Sequence, residues 1–143
     1  MTKVAKKNRT NETDRVRDLL KKKGCPDYLI HGGLPGLVEN WERTVDSVAR
    51  GYRLGLDDYL NDMDGRQLLE EALAIAPAGA REEVLDRVRR ADARMQSLIE
   101  PGEKCLWGDE VARENGWTKG KNWWYFTRPI QAGPVLLSEI EKA

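Results

Sequence analysis

The chain has 143 residues, 40% hydrophobic and 34% charged, with 24 Lys/Arg against 24 Asp/Glu and a formal charge of zero. That length suits one domain with its own core. The composition, with a mean hydropathy of −0.67, excludes a membrane-embedded chain, a wholly disordered one and a uniformly basic nucleic-acid coat.

The zero is a cancellation. Nine of the 24 bases and three of the 24 acids fall in residues 1–24, a net of +6, and the remaining 15 and 21 give −6 for residues 25–143. Residues 1–10 hold almost no large apolar side chain and are expected to form a disordered basic arm ahead of a single globular domain over 11–143. Within that domain, 11–100 reads as a helical part and 101–143 as an aromatic α+β part.

Val16, Leu19 and Leu20 recur at i, i+3 and i+4, with Asn11 as cap and Gly24 as terminator, which predicts a short helix over 11–23. Cys25-Pro26-Asp27 breaks it, because proline disfavours the helical region for the residue before it. Gly32-Gly33 forms a joint before Pro35, which suits the first turn of a helix running to about Arg50. Leu34, Val38, Trp41, Val45 and Val48 share one face of that helix. Residues 56–62 predict a turn or two of helix ending near Met63, and Asp64 with Gln67 matches a capping box that would start a new helix. Pro77 stops it. From Ala80 to Ile99 the apolar positions Val84, Val88, Ala91, Met95 and Leu98 step by 4, 3, 4 and 3, a regular amphipathic helix.

Four of the five tryptophans, at 107, 117, 123 and 124, lie within 18 residues of the last third. Cys105-Leu106-Trp107 and Asn122 to Thr127 are short and aromatic and predict strands, with a helical turn over Asp109 to Glu114 between them. Pro134 opens a terminal helix with Val135, Leu136 and Ile140 facing inward. The fold class is therefore mainly α: a compact bundle of five to six helices with a small, hairpin-like aromatic β element in the C-terminal third.

The acidic run Asp57, Asp58, Asp62 and Asp64 invites a calcium loop, because such a loop needs oxygen ligands at positions 1, 3, 5 and 12 around a glycine at 6. Gly65 at position 6 puts Asp62, Asp64 and Glu71 correctly but leaves Leu60 at position 1 and Gln67 at position 8. Those two departures argue for a solvated acidic turn. His31, Cys25 and Cys105 are one ligand short of a structural zinc site, and no family signature supports a Cys/His nucleophile. No phosphate-loop, dinucleotide or metalloprotease motif occurs, so no catalytic, cofactor-binding or metal-ligating residue is assigned and no cofactor is expected.

Recognition surfaces remain. Alternation in a strand would send Trp123 and Tyr125 to one sheet face and Trp124 and Phe126 to the other, leaving a face to be covered or to bind. The interaction candidates are Asp57, Asp58, Asp62, Asp64, Trp107, Trp117, Trp123, Trp124, Tyr125 and Arg128. The leading expectation is a non-enzymatic, cytoplasmic protein-interaction module, such as an immunity- or antitoxin-like inhibitor, an adaptor or a complex subunit. Its partner would be a protein, with self-association through the basic arm as a further possibility. A small carboxylate- or metal-dependent enzyme centred on 57–71 is the alternative, and a nucleic-acid accessory using the arm is a third reading. Two isolated cysteines, no apolar leader run and no apolar stretch of membrane-spanning length support the cytoplasmic expectation.

Overall fold

The computed structural model describes residues 15–102 and 104–142; the expected arm and the start of the first helix lie outside them. Six helices, a 3-10 turn and one two-stranded antiparallel sheet make up the described residues, in line with the mainly α expectation. Helix α1 covers 15–22 and buries Val16 and Leu20, two of its three periodic apolar residues.

Helix α2, Asp27–Ala49, begins after Pro26, whose extended backbone and missing N–H suit the residue before a helix. It is two helical pieces joined at Gly33, where φ is 58° and ψ is −151°. Only glycine takes that backbone without strain, so the expected joint is kept. What the sequence reading leaves out is the helical piece before it. Beyond Gly33, the predicted face of Leu34, Val38, Trp41, Val45 and Val48 is buried, and Leu37 is buried with it.

Helix α3 runs unbroken from Leu56 to Ile75, which corrects the expected break at Asp64. Tyr59, Leu60, Met63, Arg66, Leu69, Ala72 and Leu73 hold one buried stripe across the supposed boundary, and that burial outweighs the local capping signal. The capping-box side chains are used elsewhere. Asp64 accepts hydrogen bonds from Trp107 and Tyr125, and Gln67 accepts one from Asn122. The pattern that resembles a helix start is a docking strip for the C-terminal segment.

Helix α4, Ala78–Leu98, buries Val84, Val88, Ala91 and Met95 as its periodicity requires, and α2 packs against both α3 and α4. Among the described residues the core holds one charged side chain. Arg66 is 4% exposed; its Nε and Nη2 donate to the two oxygens of Asp92 at 3.0 and 2.8 Å, and Nη1 donates to Glu70 at 3.2 Å. Its guanidinium lies 4.3 Å from the Trp124 ring centroid, and Trp41 Nε1 donates to the same Asp92 at 2.8 Å. A planar cation held by a fork on one carboxylate and an aromatic face ties α3, α4 and the C-terminal segment to α2.

The sheet lies elsewhere than expected. Strand β1, Ile99–Pro101, pairs antiparallel with β2, Thr127–Pro129, and their connection contains helix α5, Asp109–Asn115, so they do not form a tight hairpin. Residues 105–107 are irregular, and Trp123–Phe126 is a 3-10 turn. A strand would alternate its side chains between two faces, whereas Trp124, Tyr125 and Phe126 are all buried in succession. The turn is fixed by Gly102 N–H donating to Phe126 O at 2.6 Å and Leu106 N–H to Tyr125 O at 2.7 Å. Helix α6, Pro134–Lys142, packs on α3 with Leu136 buried and Ile140 half-buried. Val135, expected inward, is 52% exposed.

Candidate functional site

The four aspartates of the acidic run share one helix and divide into two kinds. Asp57 and Asp58 stand exposed in the first turn of α3, where the helix dipole favours negative charge. Asp62, one turn on, is half-buried and accepts from the Tyr52 hydroxyl at 2.6 Å. Burial pushes its carboxyl above the usual carboxylate range, against the opposing pull of that hydrogen bond. The Tyr52 phenol is itself pushed well up, first by burial and then by its bond to Asp62. Asp64 accepts from Tyr125 Oη at 2.7 Å and from Trp107 Nε1 at 3.0 Å, and burial followed by the Asp64 bond drives the Tyr125 phenol up as well. Among the described residues none of the four takes part in a salt bridge.

The aromatic candidates are not one surface. Trp124 and Tyr125 are each 1% exposed and belong to the core. Trp123 is half-buried with its ring edge-on to Trp41, centroids 6.4 Å apart. Trp117 is half-buried and stacked on Tyr125, with centroids 4.0 Å apart and planes 20° apart. Trp107 alone of the five tryptophans is exposed, at 41%. Arg128 is exposed and paired with Glu100 at 2.7 Å.

The structure brings Asp62, Asp64, Trp117 and Tyr125 together in a cleft of about 900 Å³ between α2 and α3. From α2 it is lined by Asn40, Thr44 and Ser47, and from α3 by Asn61, Gly65 and Leu68. Each set follows one helix face at i, i+4 and i+7. Leu54, 56% exposed, borders the cleft at the α2–α3 connection, and Tyr28, 75% exposed, borders it at the start of α2. Lys23 and Glu71 pair at 3.0 Å on its wall. Trp107 and Arg128 instead line a separate hollow of about 760 Å³ with Leu56, Leu106, Cys105 and Ile140. Trp123 lines a smaller third one.

Leu54, Tyr28 and the Asn40–Thr44–Ser47 row, in which Thr44 is buried and Ser47 exposed, are the cleft residues that the sequence reading passes over. The available signal is a row of small polar residues displaced by one position from the apolar row Trp41, Val45 and Val48. The remaining chemistry is quiet. Burial raises the thiols of Cys25 and Cys105, which keeps them protonated near neutral pH. His31 is exposed, and its carbonyl accepts from Arg17 at 3.5 Å. Among the described residues no group of three or more His, Cys, Asp or Glu is placed to hold a metal ion. Nor, among them, is any helix long and apolar enough to cross a membrane.

No protein-family model matches the chain, and no curated protein or solved structure is significantly similar to it.

Proposed function

We propose that the protein is a non-enzymatic interaction module that offers the acidic start of α3 to a basic surface of a protein partner, as an inhibitor, adaptor or complex subunit. The observation that carries this reading is the charge imbalance there: Asp57, Asp58 and Asp62 occur within two turns, and among the described residues no cation pairs with them. Glu39, Glu42, Asp46 and Glu100 each face an arginine. Other exposed acids, among them Glu82, Glu83, Asp86 and Glu110, also lack a salt bridge among the described residues, but only those at the start of α3 adjoin the α2–α3 cleft, which Asp62 lines. Carboxylates left without a partner attract a complementary surface and steer its approach. The reading includes a cytoplasmic location, supported by the two free thiols Cys25 and Cys105.

The test is affinity purification of the tagged full chain from its native host, followed by mass spectrometry, alongside the double variant Asp57→Lys/Asp58→Lys. Both positions are exposed, so the variant is expected to fold and to lose the protein captured by the native chain. Equal capture by both would refute the assignment. The carboxylate-enzyme reading draws on one observation, the half-buried Asp62 in a large cleft. Its two acidic neighbours in the cleft are already bound, Asp64 to Tyr125 and Trp107 and Glu71 to Lys23, so the interaction reading is preferred.

A further inference from the structure

We infer that the α2–α3 cleft is the receptor for one amphipathic, Lys/Arg-rich helix of the partner protein, an inference that rests on the interaction reading above and names the shape of what is bound. The trough runs between two helices, with Asn40, Thr44 and Ser47 on one wall, Asn61, Gly65 and Leu68 on the other, and the larger Trp41, Trp117 and Tyr125 also in its lining. Asn40 to Ser47 extends about 10 Å along α2 at 1.5 Å per residue, two helical turns. Its α3 wall includes Gly65, where an added Cβ would meet nothing within 4 Å, so the trough is open at that point. Leu54 and Tyr28 expose apolar surface at its two ends. Helical walls offer no free sheet edge, which removes strand addition as a docking mode. A helix laid in a groove, with anchors at i, i+3/i+4 and i+7, fits the dimensions.

Charge selects the kind of helix. At the α1–α2 end Lys23 pairs with Glu71, and along the α2 wall Arg43 pairs with Glu39, so both cations of the lining are neutralised. At the other end Asp62 lines the cleft, and Asp57 and Asp58 stand exposed one turn before it. None of the three has a salt-bridge partner among the described residues, so the partner helix brings its basic residues to the start of α3. The same carboxylates repel a phosphate backbone, which argues against nucleic acid there. The chain's own residues 1–10 supply positive charge, but Met1 and Val4 are their only large apolar side chains, too few for an apolar face.

The probe is a synthetic Leu/Lys peptide of roughly 18 residues, five helical turns, with its leucines on one face. It is compared with a scrambled peptide of the same composition and a Leu/Glu peptide of the same pattern. Binding to the full chain is followed by calorimetry and by tryptophan fluorescence, because Trp117 lines the cleft. The Leu/Lys helix is expected to bind at least about tenfold more tightly than the scramble, and the Leu/Glu helix not to bind. Ser47→Trp and Asn61→Trp, both at exposed positions, fill the trough without changing charge. Each is expected to weaken binding about tenfold or more while the urea midpoint stays put. Equal binding by the scramble, or no effect of either tryptophan, overturns the cleft as receptor. In that case, loss of native partner capture in Asp57→Lys/Asp58→Lys would still uphold the acidic surface. If deleting residues 1–10 tightened peptide binding about tenfold, the occupant would be the chain's own arm, and the foreign helix would be refuted.

Discussion

Helix α3 carries charge in two opposite ways within a few turns. In its middle, Arg66 is enclosed, and each of its three donor nitrogens has a carboxylate partner. At its start, Asp57, Asp58 and Asp62 have no cation among the described residues. A buried ion without partners is strongly destabilising, whereas an exposed one costs almost nothing, so burial alone explains the complete pairing at Arg66. Asp57 and Asp58 are exposed and need no such compensation, whereas half-buried Asp62 has the Tyr52 hydroxyl instead; on the proposed reading, the exposed pair is what a partner meets first. In this molecule the paired charges hold the fold and the unpaired ones are the surface to test.

That contrast can be broken experimentally, first at its strongest point. Arg66→Ala leaves Asp92 partly buried without its cation and empties space beside Trp124; urea unfolding is expected to show a loss of about 3–5 kcal/mol. A loss under about 1 kcal/mol would erase the distinction between the two regions. Tyr125→Phe removes one of the two donors to Asp64 and is expected to cost about 1–3 kcal/mol. Trp107→Phe, at the exposed end of the same carboxylate, is expected to cost less than about 1 kcal/mol. If the order of these two were reversed, Asp64 would be anchored from the surface and not from the core.

Asp57→Asn and Asp58→Asn remove only favourable charge at a helix start, about 0.3–1 kcal/mol each at low salt by thermal unfolding, and less when salt is added. A larger loss would mean these acids are structural. The smallest effect is a change in slope. Burial holds the Asp62 carboxyl above its ordinary value of 3.8, so the folded chain binds that proton more tightly than the unfolded chain does. Its contribution to stability is therefore fully present below pH 3.8 and is lost as pH rises through the raised value. Asp62→Asn is expected to flatten that part of the stability–pH curve, and an unchanged curve would show that the burial cost is absent.

The helices were legible where apolar spacing was long and uniform. Val84, Val88, Ala91 and Met95 identify α4 almost to its ends, because a core-facing stripe needs nothing beyond local geometry. The boundary at Asp64 was misread for a physical reason: a capping box and a docking strip for a distant segment place the same residue types three apart. Only the arrival of Trp107, Asn122 and Tyr125 distinguishes them. The aromatic run misled in the same way. Trp123–Phe126 has strand-forming residues, but the segment winds into a 3-10 turn with three consecutive rings buried, and its backbone bonds to Gly102 and Leu106 come from far outside the run.

Of the candidate site, the acidic run was visible in the sequence as composition. Its division into free and engaged carboxylates was not, since that depends on which hydroxyls and indoles come within hydrogen-bonding distance.

By itself, then, the sequence determined the helical class, the joint at Gly33, the core stripe of α4 and the uneven distribution of charge. All of these follow from near-neighbour spacing and composition. Tertiary structure alone decided that α3 is continuous, that Trp124 and Tyr125 are core while Trp107 is not, and that the Asn40–Thr44–Ser47 row of α2 and the Asn61–Gly65–Leu68 row of α3 line one cleft. These facts concern residues far apart in the chain, and packing energies summed over the whole core outweigh local propensities worth a fraction of a kcal/mol each.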